Sequence, residues 1–301
     1  MQAPIGMSKN IFLFLFLFMS MLSTRAQEQR GFIGLGLSAG ASNYTGDLDD
    51  NFTLPFTRPG FGAHVLFLLT PRWYTRVAIF HGQITASDGS GVNFSGNQNR
   101  NLSFYSDINE GGIHLIYSLQ SRKRGFTRRN LIAPYVFAGI AYFQFNPKRK
   151  VNGTVYELQK VGTEGQYLTG NYPKPYSRQQ ISIPFGMGFT IKLSKNFDLG
   201  AELGLRKTFT DYLDDVSTLY PDKQQLTAER GSIAAYLADP SNNPNEPQGR
   251  PAFSKRGNPS NKDWYVYTNI HLTYYFTTVI FKTSKGKSNF KNNSCKGLRG
   301  N

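Results

Sequence analysis

Eight segments of this chain alternate between apolar and small or polar residues with a period of two, which predicts β-strands with one apolar face. Seven of these segments lie at 33–40, 61–69, 73–79, 113–117, 133–143, 197–205 and 264–276, and the eighth lies at 181–193. Strands of roughly ten residues have the length that a tilted strand needs to cross a bilayer. The clearest segment has its apolar positions at Ile181, Ile183, Phe185, Met187, Phe189, Ile191 and Leu193.

We expect the apolar face of each segment to contact lipid, because the remaining positions are too small or too polar to do so. The first segment shows this well, with Gly34, Gly36, Ser38 and Gly40 on its second face. In the fifth segment the same reasoning assigns the apolar face to Ala133, Tyr135, Phe137, Gly139, Ala141 and Phe143.

The connections between the segments alternate in length. Short ones lie at 70–72 and 194–196, a longer basic one lies at 121–130, and long ones lie at 43–58, 84–101, 146–179 and 210–263. In outer-membrane barrels the short turns face the periplasm and the long loops face outward. The sequence therefore predicts an all-β fold, an eight-stranded antiparallel up-and-down transmembrane β-barrel with periplasmic termini. The alternative is a soluble β-sandwich.

The two ends of the chain differ in composition from the segments between them. Residues 1–26 contain a basic start at Lys9, an apolar run at 11–19 and small residues up to Ala26, which predicts a cleaved signal peptide. The alternative for this stretch is a buried helix. Residues 27–281 are assigned to the barrel, and residues 282–301 to a basic, flexible periplasmic tail. These assignments predict an exported protein in the outer membrane of a Gram-negative bacterium.

Composition narrows the class of partner. The formal charge is +15, and removing Lys9 and Arg25 with the signal peptide leaves +13, since 15 minus 2 is 13. A basic protein favours acidic partners, and export argues against nucleic acid. Anionic outer-membrane lipid and an acidic protein surface are the remaining candidates. The single cysteine, Cys295, excludes an intrachain disulfide framework.

Six ionisable residues fall on the inward register of the predicted strands. An unpaired charge in a narrow lumen is costly, so we predict a paired network that plugs the barrel. A gated pore is the alternative, although eight strands leave little free lumen. The residues of this predicted network are Arg76, Glu110, His114, Lys192, Glu202 and Arg206.

The sequence offers weak candidates for metal binding and catalysis. Asp211, Asp214 and Asp215 form an acidic cluster, but their spacing matches no defined calcium loop, and solvated or loop-pairing carboxylates are the preferred interpretation. His81, followed by Ser87 and Asp88, is the candidate for a lipid-modifying enzyme, although sequence proximity does not establish catalytic geometry. We therefore predict no enzyme activity, no cofactor and no small-molecule substrate.

Several stretches go beyond generic barrel chemistry. The most specific is residues 206–217 (RKTFTDYLDDVS), and the others are 43–48 (NYTGDL), 133–140 (APYVFAGI), 146–148 (NPK), 161–166 (VGTEGQ) and 183–188 (IPFGMG). Together they resemble the PorG family of outer-membrane proteins of the type IX secretion system in Bacteroidota. The resemblance spans about residues 31–276. It implies a role in tethering the periplasmic ring of PorK and PorN to the outer membrane.

One predicted periplasmic turn carries a cluster of basic residues that suits this role. An acidic ring surface is one partner for the cluster, and anionic lipid head groups are the alternative. Two functions stay open at this point, an anchor of the secretion system and a stand-alone OmpA-like barrel for adhesion or envelope integrity. The basic residues of this turn are Arg122, Lys123, Arg124, Arg128 and Arg129.

Overall fold

The computed structural model describes residues 32–49, 54–88, 100–120, 129–241 and 249–276, so the predicted signal peptide and basic tail lie outside the described residues. These residues form mostly strands, with three short helices, α1 (Leu158–Val161), α2 (Lys223–Arg230) and α3 (Ser232–Ala238), and a 3₁₀ turn at Leu54–Phe56. The strands are β1 (Ile33–Thr45), β2 (Arg58–Leu68), β3 (Trp73–Ser87), β4 (Ser103–Ser118), β5 (Ile132–Val151), β6 (Thr154–Glu157), β7 (Gln179–Lys192), β8 (Phe197–Thr208) and β9 (Trp264–Phe276).

Eight of these strands close into a ring. Each pairs antiparallel with its neighbours in the order β1, β2, β3, β4, β5, β7, β8, β9, and β9 returns to β1 with Ile33 opposite Phe276. The ring leaves none of its eight strands with an unpaired edge. The predicted eight-stranded antiparallel barrel is confirmed. The ninth strand, β6, pairs with β5 alone, outside the ring.

The outward face of the ring is an apolar band. Its most exposed side chains include Leu37 at 69%, Ile140 at 67% and Met187 at 62% relative exposure. Large apolar side chains exposed in such numbers are the surface that a membrane barrel presents to lipid. The predicted outward register is thus confirmed for most segments. None of the helices among the described residues is long and apolar enough to cross a membrane.

The predicted face of the fifth segment is wrong. In β5 the side chains of Tyr135, Phe137 and Phe143 point into the barrel and are buried, whereas Val136 and Ile140 on the opposite register are exposed. The alternation did not distinguish the faces, because both faces of β5 are apolar. The inward aromatics are needed to fill the lumen, which the small residues of neighbouring strands leave open.

Two long connections are shorter than predicted because their flanking strands continue. β3, β4 and β5 are 15, 16 and 20 residues long, and they extend past the apolar band as a wall on one side of the ring. The predicted loop at 146–179 therefore begins as strand. At the far end of β5, Asn152 (φ 50°) and Gly153 (φ 85°) form the tight turn of a hairpin with β6.

The barrel has two unlike ends. We call the end with the connections at 69–72, 119–131 and 193–196 the turn end, and the opposite end the loop end. At the loop end, residues 46–49, 154–178, 209–241 and 249–263 pack together over the ring, and we call this assembly the cap. Its apolar core joins the inward side of the wall, including Ile84, Phe104, Ile108, Phe145, Leu158, Leu213, Val216 and Leu237.

A charge placed in the apolar band tests whether the band faces lipid. Ile140→Arg is expected to destabilise the barrel in lipid vesicles by about 2–4 kcal/mol, because a cation near the bilayer midplane loses its hydration. Val155→Arg changes a similarly exposed residue, at 49%, on β6 outside the ring, and serves as the control. Urea unfolding in vesicles measures both, and equal losses would contradict a lipid-facing band.

Candidate functional sites in the lumen and the cap

The first half of the lumen network is centred on Arg76 of β3. Its guanidinium binds both carboxylate oxygens of Glu202 on β8 at 2.6 and 3.1 Å, and its Nε donates to His114 Nδ1 at 3.0 Å. The Tyr135 hydroxyl donates to the same carboxylate at 2.8 Å. These residues are buried, so the charges of Arg76 and Glu202 compensate each other in a place that water screens poorly.

The second half lies nearer the loop end. Arg206 of β8 pairs with Glu110 of β4 at 3.3 Å, and the Tyr265 hydroxyl donates to Glu110 at 2.6 Å. Arg206 also donates to the carbonyl of Gly204 at 2.7 Å. A Cβ at Gly204 would overlap Nη1 of this guanidinium, so the glycine leaves room for its present position.

The structure brings five of the six predicted lumen residues together, two cations facing two anions with His114 between them. The sixth, Lys192, is half-buried at the last residue of β7, next to the turn end. Its inward register places it on the predicted face of the strand but far along the barrel from the centre of the network.

Arg76 also fixes the tautomer of His114. Because a guanidinium only donates, Nδ1 of His114 must accept, and the ring proton of the neutral imidazole resides on Nε2. Among the described residues this buried Nε2 has no hydrogen-bond partner. A void of about 30 Å³ adjoins the imidazole of His114, and this void has room for about two water molecules.

Aromatic clusters close the lumen on both sides of this network. Toward the loop end, Phe80 and Tyr267 pack with ring centroids 4.3 Å apart, and Phe143 and Tyr265 follow at 5.3 Å. Toward the turn end, Phe32 packs edge-on against Tyr275 at 5.1 Å, within a second cluster that includes Leu66, Tyr74, Ile116, Tyr135 and Phe137. Between the described side chains the lumen keeps two small voids, of about 40 Å³ on the turn side and about 30 Å³ beside His114.

The candidate catalytic group does not assemble. His81 lies on the outward face and its Nδ1 is 2.8 Å from Asn109 Oδ1. Asp88 is buried instead, where it forms a two-point ion pair with Arg100, both contacts at 2.8 Å. Arg100 also donates to the Arg256 carbonyl at 2.7 Å, so this pair ties the wall to the cap.

In the cap, two carboxylates converge on Arg256. Its Nη1 lies 3.0 Å from Glu164, and its Nη2 lies 3.9 Å from Asp215. Asp215 also accepts from the hydroxyls of Thr163 and Tyr176, the latter at 2.7 Å. All of these charged groups are buried, so the cap contains an ionic core of its own.

A second acidic group lies next to this core. The Tyr44 hydroxyl, from the end of β1, donates to Asp214 at 2.6 Å and is 3.2 Å from Asp263, which in turn accepts from the Leu213 amide at 2.8 Å. Three of the stretches that carry the family resemblance, 43–48, 161–166 and 206–217, therefore meet inside the cap. Asp214 contacts Tyr44 of β1, Asp215 contacts groups of the cap loops, and both carboxyls are buried.

Burial dominates the protonation of these carboxyls. It raises the pKa of Asp211 to about 7, assisted by the nearby charge of Asp47 and opposed by Ser217. Burial also raises the pKa of Asp215 to about 7 although Arg256 opposes it. Among the described residues no group of three or more His, Cys, Asp or Glu side chains is arranged to hold a metal ion. The raised pKa values of Asp211 and Asp215 leave both carboxyls partly protonated near neutral pH.

Several residues of these sites were not predicted from the sequence. Glu164 lies within a stretch that carries the resemblance, so its pattern was visible but its role was not. Arg100, Arg256 and Asp263 sit in polar loops where a single charged residue gives no local signal. Their partners are distant in the chain; Arg256 and Glu164 are 92 residues apart.

The basic turn requires one correction. Arg129 was predicted as a partner contact, but its side chain is buried, with Nη2 2.7 Å from Asp198 and 2.8 Å from the Ser194 carbonyl. Its guanidinium ties the turns at 119–131 and 193–196 together and is not available to a partner. Arg122, Lys123, Arg124 and Arg128 lie outside the described residues.

Removing one lumen charge tests the paired network. Glu202→Ala is expected to destabilise the barrel by about 3–5 kcal/mol, because it leaves Arg76 buried and unpaired. The control, Glu157→Ala, breaks half-exposed ion pairs and is expected to cost at most about 1 kcal/mol. Urea unfolding measures both variants, and equal costs would contradict the lumen network.

The acidic cap predicts a pH dependence. A carboxyl whose folded pKa is raised stabilises the cap below its unfolded pKa, and this contribution is lost as the pH rises through about 7. Asp211→Asn, which removes a buried carboxyl whose pKa is raised, is expected to stabilise the cap by about 1–3 kcal/mol at pH 8. The same substitution should have little effect at pH 4. Limited proteolysis of the cap at the two pH values checks this, and an equal effect at both would refute it.

No curated protein matches the chain. Among solved structures it is similar to Ail, the attachment invasion locus protein of Yersinia pestis (9% identity, TM-score 0.39, 82% of this chain and 100% of that one). It is also similar to the N-terminal β-barrel domain of OprF from Pseudomonas aeruginosa (12%, 0.34, 83% and 100%) and to the outer membrane protein OprG from the same organism (10%, 0.35, 82% and 96%). Residues 9–235 match the family described as Domain of unknown function (DUF6089), and the chain belongs to that family.

Proposed function

We propose that this protein is a non-enzymatic structural component of a bacterial outer membrane. The closed lumen carries the proposal. Its charges are paired, aromatic clusters line it on both sides, and the voids left between them are only about 30 and 40 Å³, so the barrel has no wide route for a solute and no cleft of substrate size. A barrel of this kind serves as a membrane anchor for what is attached to its two ends.

The outward surface supports the outer-membrane location. Apolar side chains form a continuous band, and aromatic residues lie near its two edges, as membrane interfaces favour. At the turn end Trp73 packs on Tyr117 at 4.7 Å, and Tyr274 packs on Phe276 at 4.8 Å. At the loop end Trp264 contacts Phe185 at 5.9 Å and lies under the ammonium group of Lys207 at 5.7 Å.

The finer form of this proposal is that the barrel anchors the PorK and PorN ring of a type IX secretion system. The resemblance of residues 206–217 and 161–166 to the PorG family supports it, as does the basic sequence at 122–124. With the turn end in the periplasm, this basic turn faces the compartment that holds the ring. The basic residues would then meet an acidic ring surface.

The cap favours the second function, a stand-alone barrel for adhesion or envelope integrity. The stretches that are most specific to the resemblance build the cap, at the end opposite to the turns. A buried ionic core around Arg256 and Glu164 keeps the cap in one arrangement, as a binding surface for the exterior requires. The anchor function requires a partner surface at the turn end, whereas the adhesion function requires one at the loop end.

Substitutions at each end separate the two functions. Replacing Arg122, Lys123 and Arg124 with glutamate is expected to abolish co-purification of ring proteins from solubilised envelopes and to block secretion of cargo with sorting domains. The matched control replaces Lys223, Lys255 and Lys262 of the cap with glutamate and should leave both intact. If secretion stays normal after the gene is deleted, the anchor function is ruled out. An adhesion or envelope defect with normal secretion would favour the second function.

A further inference from the structure

We infer that the outward face of the wall formed by β3, β4 and β5 carries a binding site for the phosphate groups of outer-leaflet lipid. This inference rests on the proposed outer-membrane location and does not depend on the proposed contact with PorK and PorN. The site lies where the wall leaves the apolar band on the loop side. Its cations are Lys148, Lys150, Lys160 and Arg178, and its carboxylates are Asp107 and Glu157.

The height of the site matches the lipid head groups. Tyr142, which is 54% exposed, is the last apolar residue on the outward face of β5, and Asn146 and Lys148 follow on the same face. From Tyr142 to Asn146 the strand rises about 13 Å, or about 10 Å above the band at a tilt of about 40°. Lysine and arginine side chains of this length snorkel toward an interface.

Hydrogen bonds hold the site together across three strands. On one side, Asp107 of β4 accepts from Lys148 Nζ at 3.1 Å and from Gln83 Nε2 at 2.9 Å. On the other side, Arg178 Nη1 lies 3.0 Å from Asn146 Oδ1 and 3.0 Å from Glu157 Oε2. These contacts orient the cations before a ligand arrives, which lowers the entropic cost of binding.

The charges within the site do not balance. Lys160 lies 2.8 Å from the same Glu157 oxygen that Arg178 contacts, so two cations share one carboxylate. The hydrogen bond from Lys160 holds the pKa of Glu157 below its ordinary value, which keeps that carboxylate ionised. With Lys148 and the exposed Lys150, four cations face two anions, a surplus of two positive charges.

A lipid phosphate fits this surplus better than further protein carboxylates do. The side chains of Lys148, Arg178 and Lys160 keep 23%, 30% and 63% of their exposure, so their ion pairs are solvent-accessible and weak. Arginine and lysine bind phosphate oxygens through charge-assisted hydrogen bonds. The apolar band directly below the site accommodates acyl chains, so the same face of the barrel matches both parts of an amphiphile.

Retention of lipid by the purified full-length protein tests the inference. The protein is reconstituted in phosphatidylcholine nanodiscs that contain phosphorylated lipid A, re-extracted in mild detergent, and examined by native mass spectrometry. Wild-type protein is expected to retain phosphorylated lipid A and not dephosphorylated lipid A. Lys148→Ala with Arg178→Ala is expected to weaken retention about 30-fold, as for the loss of two cations at a membrane surface.

The control removes two cations from the cap, through Lys223→Ala with Lys255→Ala, and should retain lipid A as the wild type does. Heat-modifiable gel mobility verifies that every variant still forms the inserted barrel, so a failure of membrane insertion is recognised separately. Equal retention by the site variant and the wild type would overturn the inference. Equal retention of the dephosphorylated lipid would overturn it as well.

Discussion

The lumen of an eight-stranded ring is too narrow to serve as a channel and too wide to stay empty, so side chains from all strands must fill it. In this protein the central layer of that filling is ionic. Arg76 with Glu202 and Arg206 with Glu110 connect β3, β4 and β8 across the lumen, and aromatic layers lie above and below them. The outward face of the ring is mostly apolar, because the paired charges of these strands point inward.

The cap at the loop end also has a buried ionic core, but unlike the balanced lumen it holds more buried carboxyls than buried cations. Acidic residues such as Glu164, Asp214 and Asp215 are buried in its interior, whereas lysines such as Lys160 and Lys255 remain at its surface. Because acidic side chains are buried and lysines are exposed, the surface of the cap is more basic than the composition of the chain alone indicates. Such a segregation of charge directs the protein toward anionic surroundings, and it makes the interior of the cap sensitive to protons.

The sequence was sufficient for the parts of the structure that obey a local period. The alternation in β7 and β8 identified the strands, their outward faces and the inward positions of Glu202 and Arg206. It failed in β5, where Tyr135 on one face and Val136 on the other are both large and apolar. The alternation did not predict the cap. The partners of Arg256 are Glu164 and Asp215, and a local sequence pattern does not indicate contacts between residues so far apart in the chain.

The contact between Tyr44 and Asp214 joins residues that are 170 positions apart, and the cap core contains several contacts of this kind. Contacts between such distant residues form late, because the intervening chain must first be placed. Here the intervening chain includes most of the strands of the ring. Tyr44 lies near the end of β1 and Asp214 follows β8, so a cap with this contact in place reports that the two ends of the strand series have been brought together.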